Sequence, residues 1–122
     1  MKFLPVLKEK KRYIVFEIIG AKINFTDAKH NILNALKDFI GEYGSANAGI
    51  IILDEWRNEK GIIKVNIKYA DFLKSTFLRI SNIKKEKVII RSVYTTGILK
   101  KAKLYLGGDK NATNYESSDY GL

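Results

Sequence analysis

Three groups of basic side chains carry the chemistry open to this chain. Lys8, Lys10, Lys11 and Arg12 follow an apolar arm, Lys84, Lys85 and Lys87 crowd one short stretch, and Lys100, Lys101 and Lys103 recur near the end. Ammonium and guanidinium groups at this density neutralise phosphates and release the counterions condensed on them. Taken singly, each group is more often a solvated face than a site. The balance of the whole chain argues otherwise, because 22 Lys plus Arg stand against 13 Asp plus Glu for a formal charge of +9. Residues 109–122 hold three acids and one base (Asp109, Glu116, Asp119 and Lys110), a net −2, so residues 1–108 carry +11. Such a surface suits a polyanionic partner, a nucleic acid or a membrane face.

Intrinsic catalysis has little to work with. Asp54-Glu55 is the adjacent acid pair, but neighbours on a strand point to opposite faces and cannot share a metal there without a bulge. The sequence has no cysteine, and its one histidine, His30, falls on the wet face of a helix with Lys29 and Lys37. No phosphate-binding loop and no nucleophile with a base is present. Neither a catalytic residue nor a protein-bound metal or cofactor is therefore expected in this chain. Its apolar runs are far shorter than the ~20 residues that span a bilayer and it shows no signal-peptide pattern, which predicts a soluble intracellular protein without membrane contact.

The elements that must position these side chains follow from periodicity. Pro5 keeps Leu4 extended, so residues 1–9 should run along the surface, anchored by Leu4, Val6 and Leu7. Arg12 to Ile19 alternates as a strand, with Ile14, Phe16 and Ile18 on one face and Tyr13, Val15, Glu17 and Ile19 on the other. Thr26 is placed to cap a helix over Asp27 to Ile40, and the glycine-spaced stretch from Gly41 to Gly49 reads as a connector. Within it, Ile40-Gly41-x-x-Gly44 matches the backbone clamp of KH domains, but Glu42 between the glycines would repel phosphates. Strands are expected at Ile50 to Trp56 and Ile62 to Tyr69, joined by a turn at Asn58-Glu59-Lys60-Gly61. A second helix follows, capped by Asp71 and ending near Ser81-Asn82, then a strand from Lys87 to Thr95 and a helix from Ile98 to Leu106. Residues 109–122 lack an apolar period and are expected to be disordered.

The order strand, helix, strand, strand, helix, strand predicts an α+β domain over residues 1–108. Its plan is the ferredoxin-like or RNA-recognition-like βαββαβ, with a four-stranded antiparallel sheet and an extra C-terminal helix. Both long helices fall on one sheet face. The other face, with Tyr13, Val15, Ile62 and Lys64, is too apolar to stay wet and is the expected seat of a protein partner, unless the last helix or the arm covers it. Ile62-Ile63-Lys64-Val65-Asn66-Ile67 lacks the aromatic pattern with which RNA-recognition domains stack bases, so nucleic acid should be held by its backbone.

Three stretches taken together resemble a known family. Leu4-Pro5-x-Leu7-Lys8-Glu9-Lys10-Lys11-Arg12-Tyr13, then Phe39-Ile40-Gly41-Glu42-x-Gly44-x-Ala46, then Val88-Ile89-Ile90-Arg91-Ser92-Val93 leading to Thr96-Gly97-x-x-Lys100-Lys101-Ala102, are similar to archaeal ribonuclease P protein component 2, over about residues 3–106. That family is the counterpart of a small subunit of eukaryotic RNase P and RNase MRP. Two departures are visible: Ile98 stands where the family often has Thr after Gly, and Val6 where a second proline is common.

The resemblance implies a cytoplasmic ribonucleoprotein subunit that supports the catalytic domain of the RNase P RNA. It implies pairing with protein component 3, in a two-plus-two assembly, beside other protein components and, indirectly, precursor tRNA. The RNA, with its own magnesium, would remove the 5′ leader. Two other readings stand beside it: a dimeric ferredoxin-like regulatory module binding a small metabolite, suggested by the architecture and the glycine connector, and a standalone nuclease built on Asp54 or Glu55.

Overall fold

The computed structural model describes residues 10–107, apart from the side chains of Glu42 and Ser45. The apolar arm with Leu4, Val6, Leu7 and Lys8, and the tail 109–122, lie outside the described residues. The elements are β1 (Lys11–Ile19), α1 (Phe25–Ala48), β2 (Ile51–Arg57), β3 (Lys60–Asn66), a 3-10 turn (Ile67–Tyr69), α2 (Ala70–Arg79), β4 (Asn82–Ile83), β5 (Glu86–Lys87), β6 (Ile89–Thr96) and α3 (Leu99–Leu106). The main sheet has the order β2-β3-β1-β6, every pairing antiparallel, and β4-β5 form a separate hairpin. This is the expected α+β, ferredoxin-like plan with an added C-terminal helix.

The alternation of β1 decides the layering. Ile14, Phe16 and Ile18 point to α1 and α2, where they pack with Ile32, Leu36, Leu73 and Phe77 in the larger core. Val15 and Ile62 point the other way, into a second cluster with Tyr94, Ala102 and Leu106. Helix α3 therefore covers the face that seemed open. Val15 and Ile62 are fully buried, which corrects their assignment to a protein partner: their alternation gave the face, and α3 occupies it. Tyr13 and Lys64, opposite each other in the β1–β3 register, remain half-buried. Tyr94 and Tyr105 stack across the α3 seam, with centroids 4.6 Å apart and planes 4° from parallel.

Four local boundaries differ from the sequence reading, each for a nameable reason. Asn24, not Thr26, caps α1, its Oδ1 accepting from the Asp27 N–H at 2.8 Å. The stretch read as a glycine connector is helical: Gly41 breaks α1 with φ 78° and ψ 168°, the helix resumes, and Gly49 closes it in the left-handed region. Small side chains such as Ala46 and Ala48 raise no χ1 barrier to helix, and Ala48 is fully buried. Strand β3 ends at Asn66, whose Oδ1 accepts from the Lys68 N–H at 3.0 Å and turns the chain into the 3-10 segment. Glu86 and Lys87 are spent in the small hairpin, so the last strand starts at Ile89.

The β2–β3 turn is also tighter than expected. Asn58 and Glu59 alone make it, both with left-handed φ (52° and 57°), the geometry of a two-residue hairpin loop. Gly61 is thereby freed to sit inside β3 opposite Phe16. A Cβ there would lie 2.8 Å from Phe16 Cζ and 3.0 Å from Trp56 Cε3. The absence of a side chain lets the two rings lie on the strand, 5.9 Å apart. Gly61→Ala should accordingly cost about 1–3 kcal/mol of stability through overpacking. Chemical denaturation measures this directly, and an unshifted midpoint would show that the rings are free to move.

Candidate nucleic-acid interface

The antiparallel sheet sorts the basic groups onto two ends. Lys10, Lys11 and Arg12 open β1, and α3, which begins just past the end of β6, brings Lys100 to the same end, since Tyr13 pairs with Thr96. The 3-10 turn joins them there, with the Ile67 N–H donating to the Lys10 carbonyl at 2.9 Å. Lys84, Lys85 and Lys87 sit on the β4–β5 hairpin, beside the start of α1 and the far end of β1. The length of β1 separates the two groups by roughly 25–30 Å at the rise of an extended strand.

At the first end, Arg12 is held by backbone and Lys11 lies beside the end of α1. Arg12 Nη1 donates to the Lys11 carbonyl at 3.0 Å, and its guanidinium lies over Gly97, where a Cβ would come within 3.1 Å of it. Lys11 Nζ reaches the C-terminus of α1, 3.5 Å from where a Gly49 Cβ would stand. That helix has no base in its own last turn, so Lys11 supplies the cation its C-terminal dipole favours. Lys10, Lys11 and Lys100 are exposed and Arg12 is half-buried. Exposed Lys68 lies at the same end, a member that reading the sequence missed; only the β1–β3 register, in which Lys11 faces Asn66, places it there.

The third basic group does not act as a unit. Lys100 is exposed, Lys101 is buried at 7 % exposure beside the second cluster, and Lys103 bonds Glu55 across the α3–β2 gap at 3.4 Å. Lys101 as a phosphate contact is thus corrected: a helix of eight residues with Ala102 and Leu106 on its buried stripe turns position 101 inward as well. At the second end, Lys84 Nζ lies 3.1 Å from Asp27 Oδ2, tying the hairpin to the first turn of α1, while Lys85 and Lys87 are exposed.

The acids are dispersed rather than convergent. Asp54 and Glu55 fall in the irregular part of β2, where three residues from Leu53 to Glu55 face only Ile62 of β3. Even with this bulge, Asp54 is exposed and Glu55 is engaged by Lys103. Glu17 and Asp27 are likewise paired, with Arg91 and Lys84. Among the described residues no three His, Asp or Glu side chains come together to hold a metal ion. His30 is exposed, its Nε2 3.0 Å from Asn34 Nδ2. No helix among the described residues is long and apolar enough to cross a membrane.

Comparison with known proteins places this arrangement. The chain is 33 % identical over 102 residues to ribonuclease P protein component 2 of Thermococcus gammatolerans, covering 81 % of this chain and 84 % of that protein. It is 29 % identical over 100 residues to ribonuclease P protein component 2 of Methanococcus aeolicus, covering 81 % and 73 %. The fold matches a chain in the cryo-EM structure of yeast ribonuclease MRP with a TM-score of 0.61, over 93 % of this chain and 96 % of that one, at 14 % identity. At that identity the likeness speaks for the fold. The sequence profile of the Rpp14/Pop5 family matches residues 12–107, nearly the whole described domain, and the chain belongs to that family.

Proposed function

We propose that this chain is a protein subunit of ribonuclease P that grips the catalytic domain of the RNase P RNA while the RNA removes the 5′ leader of precursor tRNA. The observation that carries this reading is the family match across the folded domain. The distribution of charge supports it: exposed lysines gather at both ends of the sheet, and the acids are paired off or scattered. On this reading the magnesium and the chemistry are the RNA's and none falls to this chain. The endoribonuclease activity then belongs to the assembled particle, in the cytoplasm.

Protein component 3 is the protein partner we assign, in a two-plus-two assembly, with other protein components around it. Tyr13 and Lys64, at the margin of α3, are the sheet residues left to meet it. The regulatory-module alternative loses one of its two motives, because the glycine stretch that suggested a ligand loop is the end of α1. For the standalone nuclease, Glu55 is already held by Lys103.

Reconstitution tests the reading. RNase P RNA with the remaining protein components should process precursor tRNA at low magnesium markedly faster when this chain is added; equal rates with and without it would sink the proposal. The purified chain alone should cleave no RNA.

The exposed and the buried lysines make separable predictions. Lys10→Ala with Lys11→Ala should weaken RNA binding without unfolding the domain and flatten the salt dependence by about 0.7–0.9 per lost phosphate contact. A salt titration checks this, and an unchanged slope would reassign both lysines. Lys101→Ala should instead leave the salt slope alone and lower the unfolding midpoint, since that side chain is already withdrawn from solvent.

A further inference from the structure

We infer that the cleft between β2 and the start of α1 binds one unpaired nucleotide, its base stacked on Trp56 against the edge of Phe25 and its phosphate held by Lys22 and Lys29. The inference rests on the RNA-binding reading above and adds to it a kind of contact that lysines alone do not make. The cleft is a shallow, open depression lined by Lys22, Phe25, Trp56 and Glu59 among others. Phe25 and Trp56 are both half-buried, 6.1 Å apart and tilted by 51°, each with an edge in the core and surface left over.

The surroundings fit a nucleotide better than an apolar ligand. Lys29 Nζ stands 5.8 Å from the Phe25 ring centre, and Lys22 is exposed at the lining. Aromatic platforms flanked by cations are how single-stranded nucleic acid is held without sequence reading, because every base has a π-face. Glu59 is the acid among the lining residues, and Asp27 nearby is paired with Lys84. The Glu59 carboxylate would repel a phosphate but accept a hydrogen bond from an exocyclic amino group, which orients base inward and phosphate toward the lysines. The β1–β3 face of the sheet, where RNA-recognition domains stack bases, is filled by α3. The stacking surface has moved to the sheet edge.

Trp56 is the only tryptophan in the chain, so its fluorescence reports on this cleft alone. RNase P RNA and hexaadenylate should each quench the emission of the full-length protein and protect it from acrylamide, whereas tripolyphosphate, a polyanion without a base, should do neither. Trp56→Phe should keep RNA affinity close to wild type. Trp56→Leu should lose about tenfold with the salt slope unchanged, because a stack and not a phosphate contact is gone. Should Trp56→Leu fail to fold by circular dichroism, the wild-type quenching decides. RNA binding that leaves Trp56 as open to acrylamide as before, or equal quenching by tripolyphosphate, would overturn the inference and leave the subunit reading standing. A chain that neither binds the RNA nor supports processing would overturn both.

Discussion

The fold depends on the two-sided burial of β1 and β3. A strand with one wet face alternates polar and apolar; β1 instead buries Ile14, Phe16 and Ile18 under α1 and α2 and Val15 under α3, with no water on either side at its middle. Burying one such side chain is worth roughly 1.5–3 kcal/mol, so the second cluster contributes on the order of the net stability of a small domain. Remove α3 and the sheet would expose Val15, Ile62 and Tyr94 together, a patch that association or aggregation would claim.

That constraint shapes what the surface can do. With both faces of the sheet covered, contacts to a large polyanion are left to its ends and edges. The ends are where antiparallel strands deliver their terminal residues, and there the exposed lysines lie. Lys11 shows how the two demands meet in one residue: its ammonium lies beside the C-terminus of α1, where the helix dipole favours a cation, and the residue is still exposed. The separation of the two basic ends suits a partner that is itself folded and extended, since a flexible tail could satisfy either end alone.

Much of this was legible in the chain. Periodicity placed the four main strands and three helices, and the alternation of β1 assigned its residues to the correct faces. Reading the sequence could not say which of three candidates would cover the second face, because burial there is a tertiary event: Ala102 and Leu106 look like any amphipathic stripe until α3 lands on Val15 and Ile62. The same event buried Lys101, which by composition was indistinguishable from Lys100. The glycine stretch misled because glycine spacing signals a turn when no packing opposes it, and here Ala48 and the Gly49 cap favour helix. Trp56 was passed over because nothing in its neighbours along the chain marks it; Phe25 and Lys22 meet it only through the fold.

The β4–β5 hairpin carries one more consequence. Lys84 and Lys85 both sit in the left-handed region, at φ 52° and 68°, where asparagine and glycine are at ease and a long side chain costs on the order of 1 kcal/mol or more. The ion pair of Lys84 with Asp27, with its ammonium largely in solvent, returns at most about 1 kcal/mol. By local energetics alone this turn would read Asn-Gly. Its actual composition is a compromise in which a two-residue loop gives up conformational ease and sets two positive charges at its tip.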